Sequence, residues 1–335
     1  MKNRETFQNL EPILGKNPES VAISNSEVQT FKRCRRRWML GTYYGLGPKN
    51  EIQTGPLPLG TRVHNALEVF YRDGVNPVDE YNRLHRIDLK KFIETEAGSD
   101  EDAIKKFNSE SDMGRIMLEG YLDWLDDTQV DTEIEFYSEE EQLRYRLEGI
   151  DDRVEIIAKI DARVRSRLDG GKYTLDHKTA APSNFGDYLK YAYFSEQLRH
   201  YTLLERIIHP DDKLDGGIYN VLKKVKRTAT AKPPFYERVE VRFNKKDIDS
   251  YWIRLTGVVR DIMRTRDELD AGLDDRFVAY PTQKMSWECG TCPFFQMCTM
   301  MDDGSDYEAY VEDHFIQIDP NERYNEDNDK GEMNG

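Results

Sequence analysis

The sequence predicts an α/β protein, because segments with the spacing of strands alternate with segments that have the spacing of helices. Residues 156–165 alternate apolar and polar side chains, which is the period-two pattern of a strand with one buried face. Asp169-Gly170-Gly171 tolerates positive φ and predicts a turn into a second strand over residues 172–179. Apolar side chains recur at helical spacing over residues 245–269. A β-hairpin and a long helix are therefore the first elements that the sequence predicts.

Helical patterns dominate the N-terminal part of the chain. Residues 1–23 are polar and predict a loosely held arm, after which Ser24 has the residue type of a helix N-cap. The helix that follows has a basic face, and Cys34 falls among its apolar positions, where a cysteine is expected to be a buried small hydrophobe. A second helix begins near Leu59. Residues 75–130 are predicted to be mostly helical, with packing positions but no chemistry.

The remaining elements follow from the same two periods. Strand patterns begin near Thr132 and lead into the hairpin. Residues 195–208 have the spacing of a helix, and residues 218–222 and 239–243 predict two further strands.

Composition limits the class of protein. The chain has 335 residues, enough for one large domain or two ordinary ones, and no apolar run approaches the roughly 20 residues needed to cross a bilayer. Its first residues do not resemble a secretory signal, so a cytoplasmic protein without membrane contact is expected, in the host cytoplasm if it is phage-encoded. The net charge is −15, but the segment from Asp302 onward has 12 acidic and two basic residues. This acidic tail therefore accounts for most of the net charge.

Two basic patches remain once the acidic tail is set aside. They consist of Lys32, Arg33, Arg35, Arg36 and Arg37 in the first helix, and of Lys223, Lys224, Lys226, Arg227 and Lys232 after the strand predicted at residues 218–222. Clusters of this kind can neutralise phosphates and predict contact with DNA, although a run of charges is more often a solvated face.

The hairpin places chemically useful residues together. Asp176 and Lys178 are two residues apart and share a face of the second strand, whereas His177 points to the other face. If the turn has an even number of residues, Asp161 stands on the face of Asp176 and close to Lys178. Two carboxylates can hold a hard divalent cation, and a lysine can orient a water and neutralise charge on phosphorus. By itself the pattern is weak, since a solvated polar strand face also produces it in a chain that is 33% charged.

Three of the four cysteines are concentrated in one short run, at Cys289, Cys292 and Cys298. This spacing brings three thiols within reach of one centre and is hard to explain by core packing. The remaining cysteine is Cys34, so a four-thiolate site would tie the N-terminal helix to the C-terminal part of the chain. An all-cysteine shell suits structural zinc or an iron-sulfur cluster, and the ligands alone do not separate the two.

Taken in order, these motifs resemble the RecB-type branch of the PD-(D/E)xK nucleases over roughly residues 24–300. The matching positions are His64 in Gly60-x3-His64, Asp161 in AKIDARV, Asp176-His177-Lys178, and Gln197-x3-Tyr201. The four cysteines resemble those of members with a [4Fe-4S] cluster, which include CRISPR-associated adaptation exonucleases, AddB-type helicase-nuclease subunits and related phage exonucleases. One departure is Ala158, where the family usually has glycine.

The resemblance implies a role for each residue of the hairpin. Asp161 and Asp176 would bind Mg²⁺ or Mn²⁺, and His64 would complete or support that metal site. The main-chain carbonyl of His177 could be a further ligand. Lys178 would position the attacking water.

Two further sets of residues have roles by resemblance alone. Gln197 and Tyr201 would contact DNA or brace the active site, although polar neighbours four apart are also ordinary helix surface. Four thiolates would hold one [4Fe-4S] cluster, from Cys34, Cys289, Cys292 and Cys298.

The resemblance also implies a fold and a domain organisation. It predicts a mixed central β-sheet flanked by helices in a nuclease domain of residues 24–304, with a helical insertion at about residues 75–130. Cys34 and residues 285–300 would form an iron-sulfur lobe. Residues 305–335 would be an acidic tail that is partly disordered.

The implied activity is a metal-dependent DNA exonuclease that acts on single-stranded DNA or DNA ends in recombination, repair or phage replication. The chain has no ATP-binding Gly-x4-Gly-Lys-Ser/Thr motif, so it would need a free end or an opened strand. A recombination or replication protein could be a partner. The alternative is a non-catalytic DNA-end-binding scaffold with a structural cluster, but a scaffold does not need Lys178 beside two carboxylates.

Overall fold

The structure of the chain is a computed structural model that describes residues 11–49, 56–94, 100–138, 141–282 and 287–324. These residues form both strands and helices, as the sequence predicts. The strands are β1 (Val21–Ser24), β2 (Leu46–Pro48), β3 (Ile134–Ser138), β4 (Glu141–Arg146), β5 (Val154–Ile160), β6 (Ala162–Ser166), β7 (Lys172–Ala180), β8 (Gly216–Lys223), β9 (Tyr236–Arg242) and β10 (Phe315–Gln317).

The helices of the described residues vary from four to 28 residues in length. They are α1 (Asn25–Arg33), α2 (Arg35–Trp38), α3 (Pro56–Asp73), α4 (Pro77–Ile93), α5 (Glu101–Thr128), α6 (Phe185–Tyr191), α7 (Glu196–Ile208), α8 (Lys245–Asp270), α9 (Asp275–Val278), α10 (Trp287–Gly290), α11 (Phe295–Asp303) and α12 (Tyr307–His314). Among the described residues, no helix is long and apolar enough to span a membrane.

The chain folds into two compact units, each assembled from segments that are distant in the sequence. The terminal unit comprises Met1–Glu51, Arg144–Ala158 and Ser250–Gly335. The central unit comprises Ile52–Leu143 and Lys159–Asp249. This division differs from the single nuclease domain of residues 24–304 that was expected, because local patterns do not show which distant segments pack together.

The central unit is built on a mixed five-stranded sheet in the order β3-β6-β7-β8-β9. Strands β6 and β7 form the predicted hairpin, with Ala162 opposite Leu175. Strand β8 runs parallel to β7, whereas β9 is antiparallel to β8. The sheet is therefore mixed, and helices α3 and α7 contact β7. These observations confirm the predicted α/β fold with a mixed sheet and flanking helices.

The described residues within 75–130 are mostly helical, as expected, and α4 and α5 belong to the core of the central unit. Helices α4 and α5 pack with α3 around a cluster of apolar side chains that also includes residues of the sheet. The buried members are Leu59, Val63, Ala66, Leu67, Tyr81, Met117, Leu118, Tyr121, Leu222 and Tyr236. At about 25 cal/mol per Å² of apolar surface removed from water, burial of this cluster is the main term that holds the three helices to the sheet.

The terminal unit contains a three-stranded sheet in the order β1-β5-β4 and a two-stranded ladder of β2 and β10. Strand β1 runs parallel to β5, with Val21 beside Val154. The expected arm of residues 1–23 is therefore wrong at its end, because residues 21–23 are part of a sheet. The segment after residue 304, which was expected to be an acidic and partly disordered tail, contains α12 and β10 in its first part. The last dozen residues, where disorder was expected, lie almost wholly outside the described residues.

The predicted first helix is interrupted at Cys34. Ser24 caps α1 as expected, because its Oγ accepts a hydrogen bond of 3.2 Å from the Glu27 N–H. Cys34 then has φ −158° and ψ 112°, which is extended backbone between α1 and α2. Its Sγ accepts a hydrogen bond of 3.5 Å from the Arg37 N–H, so the thiol caps the second helix. The expectation that Cys34 is a buried hydrophobe is wrong, since its side chain is partly exposed and polar contacts hold it.

Glu27 is a buried carboxyl in the terminal unit. Its Oε1 accepts a hydrogen bond of 2.9 Å from the indole N–H of Trp38, and the buried Arg266 guanidinium stacks over the Trp38 ring. Burial raises the pKa of Glu27 to about 7, although the Trp38 hydrogen bond and the charge of Arg266 act in the opposite direction. The folded protein therefore keeps a proton on Glu27 that an unfolded chain loses at lower pH.

This difference predicts that Glu27 lowers the stability of the protein as the pH rises from about 4.5 to about 7. The lower limit is the ordinary pKa of the group, and the upper limit is its pKa in the folded protein. The loss is on the order of 3 kcal/mol at most, because one pKa unit corresponds to about 1.4 kcal/mol. Urea unfolding at several pH values should show this slope in the wild type and a flatter profile in Glu27→Gln. The exposed Glu19→Gln is the matched control, and an unchanged slope in Glu27→Gln would contradict the assignment.

Candidate active site

The two hairpin carboxylates lie next to each other in the central unit. Asp161 occupies the bend between β5 and β6, and the pairing of Ala162 with Leu175 places it across from Asp176 of β7. Asp161 Oδ2 accepts a hydrogen bond of 3.1 Å from the His177 N–H. The main chain of β7 therefore fixes the carboxylate of Asp161 directly.

Asp176 is held from two sides. Its Oδ2 lies 2.5 Å from Lys178 Nζ, and its Oδ1 accepts a hydrogen bond of 3.1 Å from Gln197 Nε2. Gln197 also donates a bond of 2.6 Å to the Tyr201 hydroxyl. Gln197 and Tyr201 thus belong to the environment of Asp176 and are not ordinary helix surface. Helix α7 begins at the right place for this contact because Ser195 caps it, accepting a bond of 3.1 Å from the Leu198 N–H.

The charges of the site depend on one another. Burial raises the pKa of Asp176, and the negative charge of Asp161 raises it further, while Lys178 lowers it. Burial also raises the pKa of Asp161, but the hydrogen bond and charge of His64, with the charges of His177 and Lys178, bring it well below its ordinary value. The pKa of Lys178 is raised, because attraction to Asp176 outweighs the effect of burial. Asp161 is therefore ionised and Lys178 protonated at neutral pH.

His64 reaches the site from α3. Its Nδ1 lies 3.4 Å from Asp161 Oδ2, and its ring meets the ring of His177 edge to face at 6.0 Å. Gly60, one helical turn earlier, approaches β7 so closely that an added Cβ would lie 3.1 Å from Thr179 Oγ1. The glycine of the Gly60-x3-His64 motif therefore lets the helix pack against the strand, and this contact brings the imidazole to Asp161.

His177 points away from the carboxylates, as the strand pattern predicts. Its ring is 3% exposed and stacks on Tyr71 at 5.5 Å. Its Nδ1 lies 2.8 Å from Asn220 Nδ2. Because an amide nitrogen can only donate, His177 Nδ1 is the acceptor and carries no proton. Burial lowers the pKa of His177 to about 3. The imidazole is neutral, and the contribution of His177 to the site comes from its main chain.

The His177 ring is held by a buried polar network that includes Asn220 and Arg238. This network was not predicted from the sequence. Arg238 Nε donates a bond of 3.2 Å to Asn220 Oδ1, and its Nη2 lies 2.5 Å from Asp131 Oδ1. The same Nη2 donates to the hydroxyls of Tyr71 and Tyr121 at 2.9 and 3.1 Å. One signal was present in the sequence: Asn220 is the polar residue in the otherwise apolar strand Ile218-Tyr219-Asn220-Val221-Leu222.

The donor set suits a hard divalent cation. Two adjacent carboxylates are the oxygen ligands that Mg²⁺ and Mn²⁺ prefer, and Asp176 Oδ2 is buried without a hydrogen bond although it pairs in charge with Lys178. Within the described residues, no three His, Cys, Asp or Glu side chains are grouped so that they could hold a metal. Asp161 Oδ2 instead lies 3.4 Å from His64 Nδ1, and Asp176 Oδ2 lies 2.5 Å from Lys178 Nζ.

The thiols of the terminal unit lie near one another. Burial raises the pKa of Cys292 and of Cys298, and the neighbouring Cys34 thiol raises both further. Arg36 Nη1 lies 3.5 Å from Cys298 Sγ and lowers its pKa. Cys289 is one turn from Cys292, whose N–H donates to the Cys289 carbonyl at 3.1 Å. The fold of this unit therefore brings Cys34 to the run at residues 289–298.

The basic patches are less exposed than the sequence predicts. Arg36 is 2% exposed and pairs with Asp302 at 2.8 Å, so its predicted contact with DNA is wrong. Arg35 is half-buried and stacks between Phe31 and Tyr280, whereas Lys32, Arg33 and Arg37 are exposed.

The second patch mostly braces its own loop. Lys223 Nζ donates to the carbonyls of Lys232 and Pro234, and Arg227 stacks on the Phe235 ring at 3.9 Å. Lys224 is half-buried, and Lys226 is exposed. Contact of this patch with DNA stays a prediction.

The fold and the site define a class of protein. Strand β7 of a mixed sheet presents a carboxylate and a lysine, the bend before β6 presents a second carboxylate, and the flanking helices present a histidine and a glutamine. The family model of the PD-(D/E)XK nuclease superfamily matches residues 22–299, and the chain belongs to this superfamily. A search of curated proteins gave no match.

The network below His177 generates a prediction about Asn220. Asn220→Leu removes the partner of His177 Nδ1 and of Arg238 Nε, and two buried polar groups then lack a bond. We expect a loss of about 1–3 kcal/mol in the free energy of unfolding, measured in urea. Asn184→Leu, at an exposed position before α6, is the matched control. Equal stability of the two variants would show that the network contributes nothing.

Proposed function

We propose that the protein is a metal-dependent DNA exonuclease that hydrolyses phosphodiester bonds in single-stranded DNA or at DNA ends. The observation that carries this proposal is the convergence of Asp161, in the bend before β6, with Asp176 and Lys178 of β7 in a superfamily member. Burying Asp176 and half-burying Asp161 and Lys178 costs free energy, which a purely structural sheet would not require. The arrangement therefore favours an active site over a scaffold.

In this proposal Asp161 and Asp176 hold Mg²⁺ or Mn²⁺, with the main-chain carbonyl of His177 as a further oxygen ligand. The bound cation supplies Lewis-acid polarisation of a phosphate oxygen. Lys178 orients the attacking water and neutralises charge that develops on the phosphate. His64 orients the Asp161 carboxylate, which accepts from the His177 N–H on the same oxygen.

Gln197 and Tyr201 have a positioning role in the proposal. The Gln197 amide donates to Asp176 Oδ1 and thereby leaves Oδ2 directed at Lys178. The Tyr201 hydroxyl fixes the amide by accepting its second hydrogen. Together they hold the buried carboxylate in one orientation, which a metal ligand requires.

The preference for ends is supported by the sequence, which has no ATP-binding motif that could open a duplex. An end or a strand that is already unpaired is then the accessible substrate. This substrate places the activity in recombination, repair or phage replication, in a cytoplasmic compartment.

A second part of the proposal concerns the thiols. Cys34, Cys289, Cys292 and Cys298 hold one [4Fe-4S] cluster that stabilises the terminal unit; zinc is the alternative occupant. The support is the break in the helix at Cys34, the mutual influence of the thiols on their pKa values, and the Arg36 guanidinium beside Cys298. A cation at this position stabilises a thiolate, which is the form that binds metal.

Substitution of the hairpin residues tests the nuclease. Asp161→Asn, Asp176→Asn or Lys178→Met should each lower the cleavage rate of end-labelled DNA in Mg²⁺ or Mn²⁺ by at least about a hundredfold, because each removes charge at the reacting phosphate. EDTA should abolish cleavage by the wild type. Asp187→Asn, an exposed carboxylate of α6, should cleave normally.

Two outcomes would contradict parts of this proposal. Near-normal activity in any two of the three variants would remove the active-site assignment, and DNA binding by a wild type that never cleaves would favour the scaffold. Equal cleavage of circular and linear single-stranded DNA would replace the exonuclease by an endonuclease.

The cluster predicts iron and a visible absorption band in protein that is purified without oxygen. Cys34→Ser should lose both and should unfold at lower urea concentration, because the centre joins segments that are far apart in the sequence. Thr291→Ala, between two of the cysteines, is the control. A colourless wild type with one zinc would overturn the iron-sulfur assignment, and an unaltered Cys34→Ser spectrum would place the fourth ligand elsewhere.

A further inference from the structure

An exposed aromatic segment comprises the last two residues of α6 and the residues that lead into the cap of α7 in the central unit. Its sequence is Lys190-Tyr191-Ala192-Tyr193-Phe194, and the last three residues form a short 3₁₀-helix. Tyr191 is 47% exposed, Tyr193 42% and Phe194 68%, whereas Ala192 is buried. Rings of this size are normally buried, so three exposed rings within four residues indicate a surface that binds something.

The segment adjoins the candidate active site through Ser195. The Ser195 hydroxyl, at the N-cap of α7, is hydrogen-bonded to the Tyr219 hydroxyl, and the Tyr219 ring lies 5.6 Å from Lys178 Nζ. Gln197, whose amide contacts Asp176, is three residues after Phe194. Consecutive Cα atoms are about 3.8 Å apart, so the Cα atoms of Phe194 and Gln197 are separated by at most about 11 Å. A strand with a phosphate at the carboxylates would pass the segment within a few nucleotides.

The geometry of the rings is suited to stacking. Tyr193 is anchored, since its hydroxyl donates to Asp247 Oδ1 at 2.7 Å and the Arg199 guanidinium lies 4.9 Å from its ring centre. Phe194 meets the Tyr193 ring edge to face at 5.5 Å, which leaves most of the Phe194 ring in solvent. Lys190 Nζ lies 4.9 Å from the centre of the Tyr191 ring, so a cation accompanies the exposed rings.

We propose that Tyr191 and Phe194 form a base-stacking subsite for unpaired bases of the DNA strand that enters the candidate active site, with Lys190 near its phosphates. This inference rests on the proposed nuclease function and adds the feature that selects the strand. In a duplex the faces of the bases are covered by their neighbours, whereas an unpaired strand can place a base on a protein ring. The subsite therefore favours single-stranded DNA or frayed ends and is indifferent to sequence.

The occupant follows from the position of the segment. A nuclease must hold the strand on one side of the scissile phosphate, and the exposed rings and the Lys190 ammonium match the bases and the phosphates of that strand. A protein bound to these rings would occupy the space through which the strand has to pass.

Binding of a fluorescent single-stranded oligonucleotide tests the subsite, with Ca²⁺ in place of Mg²⁺ to limit cleavage. Tyr191→Ala and Phe194→Ala should each weaken binding roughly 5- to 100-fold, the range measured for removal of one stacking ring. Phe194→Trp should bind like the wild type, whereas Phe194→Leu, which is apolar but cannot stack, should bind like Phe194→Ala. Phe277→Ala, which removes an equally exposed ring (75%) from the terminal unit, should bind normally.

A substrate with abasic sites separates stacking from other effects. The wild type should lose affinity for it by the same factor as Phe194→Ala, and Phe194→Ala should show no further loss. In turnover with Mg²⁺, KM should rise while kcat changes little, because the rings do not touch the reacting phosphate.

The possible failures are distinguishable. If the wild type cleaves DNA but the ring variants bind and cleave as it does, the subsite is overturned and the nuclease stands. The subsite would also be overturned if the ring variants lost as much affinity for blunt duplex DNA as for single-stranded DNA. Concentration-dependent self-association that Phe194→Ala abolishes, with DNA affinity unchanged, would assign the rings to a second copy of the chain. A wild type that cleaves no DNA contradicts the proposed function, whatever the binding data show.

Discussion

The candidate site depends on the way in which β7 divides its side chains between two faces. Asp176 and Lys178 point toward α7, while His177, between them, points into a buried network. The alternation is a consequence of the pleat, so a shift by one residue would exchange the faces. Neighbouring strands β6 and β8 fix the register on both sides. The hydrogen bond from the His177 N–H to Asp161 then links the position of the buried imidazole to the position of a carboxylate on the other face.

The network under His177 shows how buried polar side chains can hold the strand that carries Asp176 and Lys178. Asn220 uses both ends of its amide, donating to the imidazole and accepting from Arg238. Arg238 is in turn held by Asp131 and by two tyrosine hydroxyls, so its buried charge is compensated. Arg238 Nη1 is buried without a hydrogen-bond partner, so the network is not complete. The bonds that it does make restrict the arrangement, because any displacement would leave further buried groups unsatisfied. Tyr121 joins this network from α5, and residues 75–130 therefore contribute to the support of the site as well as to the core.

The terminal unit uses basic residues differently from the central unit. Arg36 and Arg266 are among its most buried side chains; Arg36 pairs with the exposed Asp302, whereas Arg266 lies over the buried Trp38 ring. Arginines that are neighbours in the sequence therefore have different environments, since Arg36 is buried and Arg37 is exposed. In the central unit the unusual surface feature is the set of exposed rings before α7. These rings are close in sequence to Gln197, which contacts Asp176 of β7.

The sequence by itself determined the elements whose causes are local. Period-two alternation and Asp169-Gly170-Gly171 determined the β6–β7 hairpin, and the order of the motifs predicted that Asp161, Asp176 and Lys178 lie close together. Local pattern could not show that Cys34 ends a helix, because apolar spacing continues across it, or that Arg36 is buried, because its partner Asp302 is distant in the sequence. Nor could it show the two units or the Asn220–Arg238 network. These features are decided by which distant segments pack together, since burial and pairing depend on neighbours in space.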